Sequence, residues 1–190
     1  MSDEKLKIAC IGWGSLIWDP RSIQVQRKWF EDGPILPIEY LRISKDQRLT
    51  LVLDETHGTS VRTLWAFFES SVIEDARKSL QLREGIRDKN SEKFIAHISA
   101  GEETDDSLKK PIQRWLLRKE LDAAVWTNLP PNYKGENGQA PTLENTISHL
   151  SGLSVNQSSN AEEYIRKTPK QIDTKFRREF EKEFGWTPID

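Results

Sequence analysis

Apolar and polar positions follow strand-like spacing over most of the chain and helix-like spacing toward its end. Lys7–Ile11 is short and nearly all apolar, as a buried β-strand is, and it runs directly into Gly12-Trp13-Gly14. Arg21–Asp32 fits neither period, because Ile23, Val25, Trp29 and Phe30 fall at irregular intervals. After a Gly33-Pro34 turn, Ile35–Ser44 and Arg48–Asp54 read as two strands joined by a Lys45-Asp46-Gln47 hairpin loop. Val61–Glu69, rich in bulky residues, predicts another strand. Ser70 and Ser71, with Glu74 at capping-box spacing from Ser71, predict a helix over Val72–Leu82. Its inner side would carry Val72, Ile73, Ala76, Leu80 and Leu82, and Gly85 would stop it.

Further on, Lys93–Ser99 predicts a strand and Gly101–Lys110 an acidic surface loop. Pro111 suits the first turn of a helix over Ile112–Arg118, and Asp122–Leu129 predicts one more strand. Asn128–Pro141, with its prolines, glycines and asparagines, reads as a long loop. A helix follows from Thr142 through Leu150, ended by Gly152. Val155–Asn160 reads as a polar linker, and a last helical region runs from Ala161 to Phe184, interrupted at Pro169. The sum is one α+β domain over residues 1–190, a mixed sheet or small barrel with surrounding helices, with residues 142–190 as a helical C-terminal region.

Composition narrows the partners. The chain has 190 residues, 36% hydrophobic and 31% charged, with a net charge of −2. That balance provides no general attraction to nucleic acid or to an anionic membrane. No apolar run approaches the roughly 20 residues needed to span a bilayer. The stretch Met1-Ser2-Asp3-Glu4-Lys5 lacks the apolar core of a secretory signal. A single cysteine, Cys10, excludes an internal disulfide and suits a reducing cytoplasm. Neither nucleic acid nor a membrane is therefore expected as a partner, the oligomeric state is not specified, and the small-molecule partner expected instead rests on the two motifs that follow.

Two motifs carry candidate chemistry. Gly12-Trp13-Gly14-Ser15-Leu16 follows a strand, where backbone N–H groups can hold a carboxylate or an oxyanion. The dinucleotide fingerprint fails because position 17, where its third glycine belongs, is Ile, and no Gly-Lys-Ser/Thr follows. The alternative is a tight strand exit with Trp13 and Trp18 packed in the core. The second motif is Leu82-Arg83-Glu84-Gly85-Ile86, where a carboxylate at a helix end can serve as a general base. Cys10 lies inside an apolar strand, where a thiol behaves as a small inert hydrophobe. The three histidines share no metal-ligand spacing, so no metal site is expected.

The stretch Gly12-Trp13-Gly14-Ser15-Leu16-Ile17-Trp18 resembles the turn that follows the first strand in the γ-glutamylcyclotransferase superfamily, most closely its ChaC-type branch. Leu80-Gln81-Leu82-Arg83-Glu84 is similar to that family's later Leu-x-x-Arg-Glu element, and the helices from Thr142 to Asp173 are similar to its terminal part. Trp13 stands where the family has tyrosine, and the Pro-Gly-Arg stretch of the glutathione-acting enzymes is missing. The resemblance implies a γ-glutamylcyclotransferase-like fold and an enzyme that cyclises a γ-glutamyl amide to 5-oxoproline. It implies Glu84 as the acid/base, and Gly12, Trp13, Gly14, Ser15 and Leu16 as the substrate cradle, with no cofactor. The alternative is a catalytically inactive small-ligand-binding or regulatory module on the same fold.

Overall fold

In the computed structural model, residues 5–189 are described; the N-terminal stretch read against a secretory signal lies outside them at residues 1–4. In chain order the elements are β1 (Ile8–Gly12), β2 (Ile35–Ile43), β3 (Leu49–Leu53), β4 (Thr59–Arg62), β5 (Leu64–Phe67), α1 (Ile73–Glu84) and α2 (Ser91–Phe94). They continue with β6 (Ile95–Ser99), α3 (Lys109–Lys119), β7 (Ala123–Thr127), β8 (Asn132–Tyr133), β9 (Glu136–Asn137), α4 (Leu143–Ser151), α5 (Val155–Lys167) and α6 (Lys175–Phe184). The chain is α+β with mixed sheets. Among the described residues no helix is long and apolar enough to cross a membrane. The chain divides into two compact units, each built around its own sheet.

The first unit comprises residues up to Gly12, Asp19–Ile35 and Arg62–Asn128. Its sheet has the order β5-β1-β7-β6, with β1 parallel to β7 and the other pairs antiparallel. β1 is buried at every position, as an interior strand flanked on both edges must be. The segment Arg21–Asp32 shows no period because it is neither helix nor strand. It touches the sheet through single bridges, Val25 to Phe68 and Phe30 to Trp65. Phe30 stacks on Trp65 at 4.6 Å between ring centres, and Trp115 of α3 closes on Trp65 edge-to-face at 5.3 Å.

The strand expected over Val61–Glu69 is broken in two at Thr63. That residue's N–H and hydroxyl both donate to the Pro34 carbonyl, at 3.1 and 2.7 Å, and its own carbonyl accepts from Gly33. The helix expected over Val72–Leu82 forms one residue later and extends to Glu84. Its N-cap is Val72, without a side-chain cap; Ser70 instead accepts from the Val72 N–H at 3.0 Å. The inner face is largely polar: Ala76, Arg77, Ser79, Leu80, Gln81 and Arg83 are buried. Val72 and Leu82, expected inside, are 51% and 62% exposed. Arg77 is paired with Glu74 and Glu92, each at 2.9 Å, and Ser79 accepts from the Gln24 N–H. Such a face can stay buried because most of its polar atoms have partners.

The second unit comprises Trp13–Trp18, Leu36–Val61 and residues from Leu129 onward. Its sheet runs β3-β2-β8-β9, with β4 also on β2. The loop expected over Asn128–Pro141 contains the small β8–β9 hairpin, whose turn places Lys134 and Gly135 at φ 52° and 83°. Two successive left-handed residues match the twist of a two-residue hairpin, and glycine fills one of them. Val155–Asn160 is the first half of α5, not a linker. Ser154 and Gln157 cap it reciprocally, and Val155 is 85% exposed, so the turn forms without burying an apolar stripe. Thr142 caps α4 in the same reciprocal way, with Asn145 as its partner.

Two buried ionisable side chains hold the helices of this unit. Arg177, 1% exposed, donates to the carbonyls of Thr168 (2.6 Å), Pro169 (2.7 Å), Ile172 (3.1 Å) and Ile165 (3.3 Å). It thereby receives the orphan carbonyls at the end of α5. Glu39 of β2 is fully buried and accepts from Thr59 Oγ1 at 2.8 Å and from the Phe176 N–H at 3.3 Å, at the start of α6. Burial raises its pKa, and hydrogen bonds led by the one from Thr174 only partly oppose it.

Arg177→Met keeps the stem but strips those carbonyls of their donor, at about 1–3 kcal/mol for a buried group left unpaired. Urea unfolding is expected to show a loss of at least ~3 kcal/mol, whereas Arg178→Met, at an exposed position, leaves the midpoint nearly unchanged. A folded-state pKa raised above about 4.3 means that the native state binds the extra proton, so stability falls as pH rises through that window. Thermal unfolding from pH 4 to 7 is expected to show this decline in the wild type and a weaker one in Glu39→Gln.

Candidate functional site

The glycine turn and the acid are delivered by different elements. Gly12 is the last residue of β1, paired with Leu64, and belongs to the first unit together with Glu84. Trp13, Gly14, Ser15 and Leu16 belong to the second.

Within the second unit the turn closes with the Ile17 N–H donating to the Gly14 carbonyl at 3.0 Å. The N–H groups of Gly14 and Leu16 make no hydrogen bond among the described residues. Both residues are buried, so these two amides are donors with an unmet demand. Trp13 is a core residue, 4% exposed, with its indole N–H directed to the Leu51 carbonyl at 3.4 Å. A phenol nonetheless reaches the turn from far along the chain: Tyr164 of α5. A side-chain carbon placed on Gly14 would lie 2.5 Å from the Tyr164 hydroxyl oxygen. The Leu51 N–H donates to that oxygen at 3.4 Å, and Trp18 meets the Tyr164 ring edge-to-face at 5.4 Å. Gly14 thus permits the close approach of the Tyr164 hydroxyl, a role that glycine spacing alone does not reveal. No local motif marks Tyr164.

Within the first unit, Glu84 ends α1. Gly85 takes a left-handed φ of 65° and its N–H returns to the Leu82 carbonyl at 3.2 Å, which stops the helix as expected. The Glu84 side chain is 17% exposed, and its Oε1 accepts from Arg83 Nη1 at 2.6 Å. That ion pair offsets the repulsion between a carboxylate and the negative end of a helix. Oε2 makes no hydrogen bond among the described residues. Arg83 is itself buried and uses Nη2 to hold the Asp19 carbonyl at 2.6 Å. The pair also lies near β1. Burial raises the pKa of the Cys10 thiol, the Glu84 charge raises it further, and Arg83 acts in the opposite sense. Cys10 is therefore a protonated, inert thiol, as its place in an apolar strand implies.

Within the first unit, Arg83 thus holds the chain at Asp19, and its charge and that of Glu84 are felt at Cys10. Elsewhere in the first unit, Trp126 of β7 has a buried indole N–H without an acceptor among the described residues. No group of three or more His, Cys, Asp or Glu residues that could hold a metal ion gathers among the described residues.

Gly14→Ala is expected to destabilise the protein by about 1–3 kcal/mol, the range for inserting a methylene into a packed core. Adding Tyr164→Phe removes the oxygen that the new methyl meets and is expected to recover part of that loss. A double mutant no more stable than the simple sum of the two changes would show that the contact does not set the requirement for glycine. Set beside family models, curated proteins and solved structures, the chain matches none of them, so the likeness of its two motifs to the γ-glutamylcyclotransferases stands on those residues alone.

Proposed function

We propose that the protein is a γ-glutamylcyclotransferase-like enzyme. It would convert a γ-glutamyl amide or peptide to 5-oxoproline and release the amine, with Glu84 as general acid/base. The observation that carries this reading is the Arg83–Glu84 pair, in which Arg83 fixes one carboxylate oxygen and leaves the other open, next to β1 and clamped to Asp19. The unbonded Gly14 and Leu16 amides support the companion role of the turn as an anion cradle.

In the reaction the substrate's α-amine attacks its own γ-carbonyl carbon. A new N–C bond closes the five-membered lactam as the original amide C–N bond breaks. Glu84 takes the proton from the attacking amine and returns it to the leaving nitrogen, so the step is redox-neutral and no proton is gained or lost. Because the nucleophile belongs to the substrate, the enzyme chiefly folds the glutamyl chain and supplies oriented donors. Gly12, Trp13, Gly14, Ser15 and Leu16 would offer backbone N–H groups to the α-carboxylate or the oxyanion. Trp13 acts there through its backbone, since its indole is committed to Leu51.

Incubation with glutathione and a panel of γ-glutamyl amides, followed by assay of 5-oxoproline, tests the activity. Wild type is expected to turn over at least one panel member. Glu84→Gln is expected to lose about 10²–10⁴-fold, the usual contribution of a positioned acid/base, while remaining folded. Ser15→Ala is expected to lose much less. Turnover by Glu84→Gln at the wild-type rate would remove Glu84 from the chemistry. Ligand binding without product in wild type would favour the inactive binding module instead.

A further inference from the structure

A groove of about 570 Å³ opens in the second unit between the β2–β3 hairpin, the β8–β9 hairpin and α4. It contains neither Glu84 nor any residue of Gly12–Leu16, so its role is independent of the cyclotransferase proposal. Arg42, Lys45, Lys134 and His149 line it, and no aspartate or glutamate does. In a chain with 30 acidic residues against 28 lysines and arginines, that one-sided lining is a local charge separation.

Arg42 provides the strongest anchor. Its guanidinium is half-buried, and burial lowers its pKa. Its partners are neutral oxygens: Nη1 donates to the Pro130 carbonyl at 2.9 Å and to Asn137 Oδ1 at 3.2 Å. No carboxylate pairs with it among the described residues, and Nε and Nη2 remain as donors. A partly desolvated cation without a counter-charge is costly, and an arriving anion relieves that cost. Of the two acids nearest in sequence, Glu39 is fully buried and accepts from Thr59 Oγ1 and from the Tyr40 and Phe176 N–H groups, and Asp46 is occupied by Arg48 Nε at 2.6 Å and by Ser44 Oγ at 2.5 Å.

The surrounding groups are preorganised. Asn132 Nδ2 donates to Asn137 Oδ1 at 2.9 Å, which ties the two short strands beside Arg42. His149 Nε2 lies 2.8 Å from the Gln47 carbonyl; a carbonyl only accepts, so Nε2 carries the hydrogen. Lys134 sits at a left-handed φ of 52°, a conformation that is costly for a non-glycine residue.

We infer that this groove binds a small phosphorylated molecule, whose dianionic phosphate is received by Arg42, Lys45 and Lys134. A guanidinium fork with free donors matches phosphate oxygens, and three cations suit a dianion better than a single carboxylate. The volume falls in the range of small-molecule sites and exceeds what a bare phosphate fills. Tyr133 and Ile43 supply apolar surface for an organic portion, and Asn145 and Ser148 supply neutral polar contacts.

Calorimetric titration of the full chain with inorganic pyrophosphate, adenosine 5′-monophosphate and succinate tests the inference. At least one phosphate probe is expected to bind saturably, at least tenfold more tightly than succinate. Lys45→Gln and Lys134→Gly are each expected to weaken that binding about tenfold. Lys45 is exposed and Lys134→Gly suits the left-handed turn, so both variants should fold. Arg42→Gln should abolish binding. Absence of saturable binding, succinate binding as tightly as the phosphates, or affinity unchanged in both lysine variants would overturn the inference. Preference for a single-stranded oligonucleotide over both phosphate probes would overturn it as well.

Discussion

A guanidinium can be buried only where oxygen atoms surround it, because its five N–H groups give up water together and its charge cannot be shed within the accessible pH range. Three arginines meet this constraint through their terminal Nη groups. Arg77 finds two carboxylates and the Ile95 carbonyl, Arg83 finds Glu84 and the Asp19 carbonyl, and Arg177 finds a ring of four carbonyls. Through Arg77 and Arg83, α1 keeps a polar face inside the first unit. Through Arg177, the end of α5 and the start of α6 are joined in the second. Among the described residues, Arg42 has only Nη1 bonded, to two neutral oxygens, and lacks the nearby carboxylate that Arg177 has in Glu181 at 3.7 Å; that shortfall makes its groove a candidate site.

The same constraint shapes the chemistry proposed for Glu84. A carboxylate at the last residue of a helix faces the wrong end of the macrodipole. Arg83 compensates and fixes one oxygen, and Gly85 turns the chain away at once. The glycine turn has its own support. Tyr164 occupies the space that a side chain at Gly14 would take, which joins the turn to α5 while two of its amides stay unbonded. Cyclisation of a γ-glutamyl amide asks for two things: a proton carrier and donors aimed at an anion. Glu84 and the unbonded Gly14 and Leu16 amides are the groups proposed for these two roles.

Much of the sheet was legible in the sequence, because short apolar runs such as Lys7–Ile11 and Asp122–Leu129 admit few alternatives to interior strands. The exceptions share a physical cause: partners that lie far away in sequence. Val61–Glu69 reads as one strand until Pro34 and Gly33 claim the backbone of Thr63. Val72 and Leu82 read as core until Arg77, Gln81 and Arg83 take the inside with partners that no periodicity shows. Val155–Asn160 reads as linker because an exposed helical turn needs only capping, which Ser154 and Gln157 provide. At the candidate site, the residue types of the turn and of Glu84 were legible. The part played by Tyr164 was not, since its contact with Gly14 spans 150 positions.

The most direct test is a crystal structure of the Glu84→Gln protein soaked with a γ-glutamyl amide. The account predicts the ligand's α-carboxylate on the backbone amides of Trp13–Leu16 and its α-amine within hydrogen-bond reach of the residue 84 side chain. A ligand seated away from both, or no ligand at either, would contradict it.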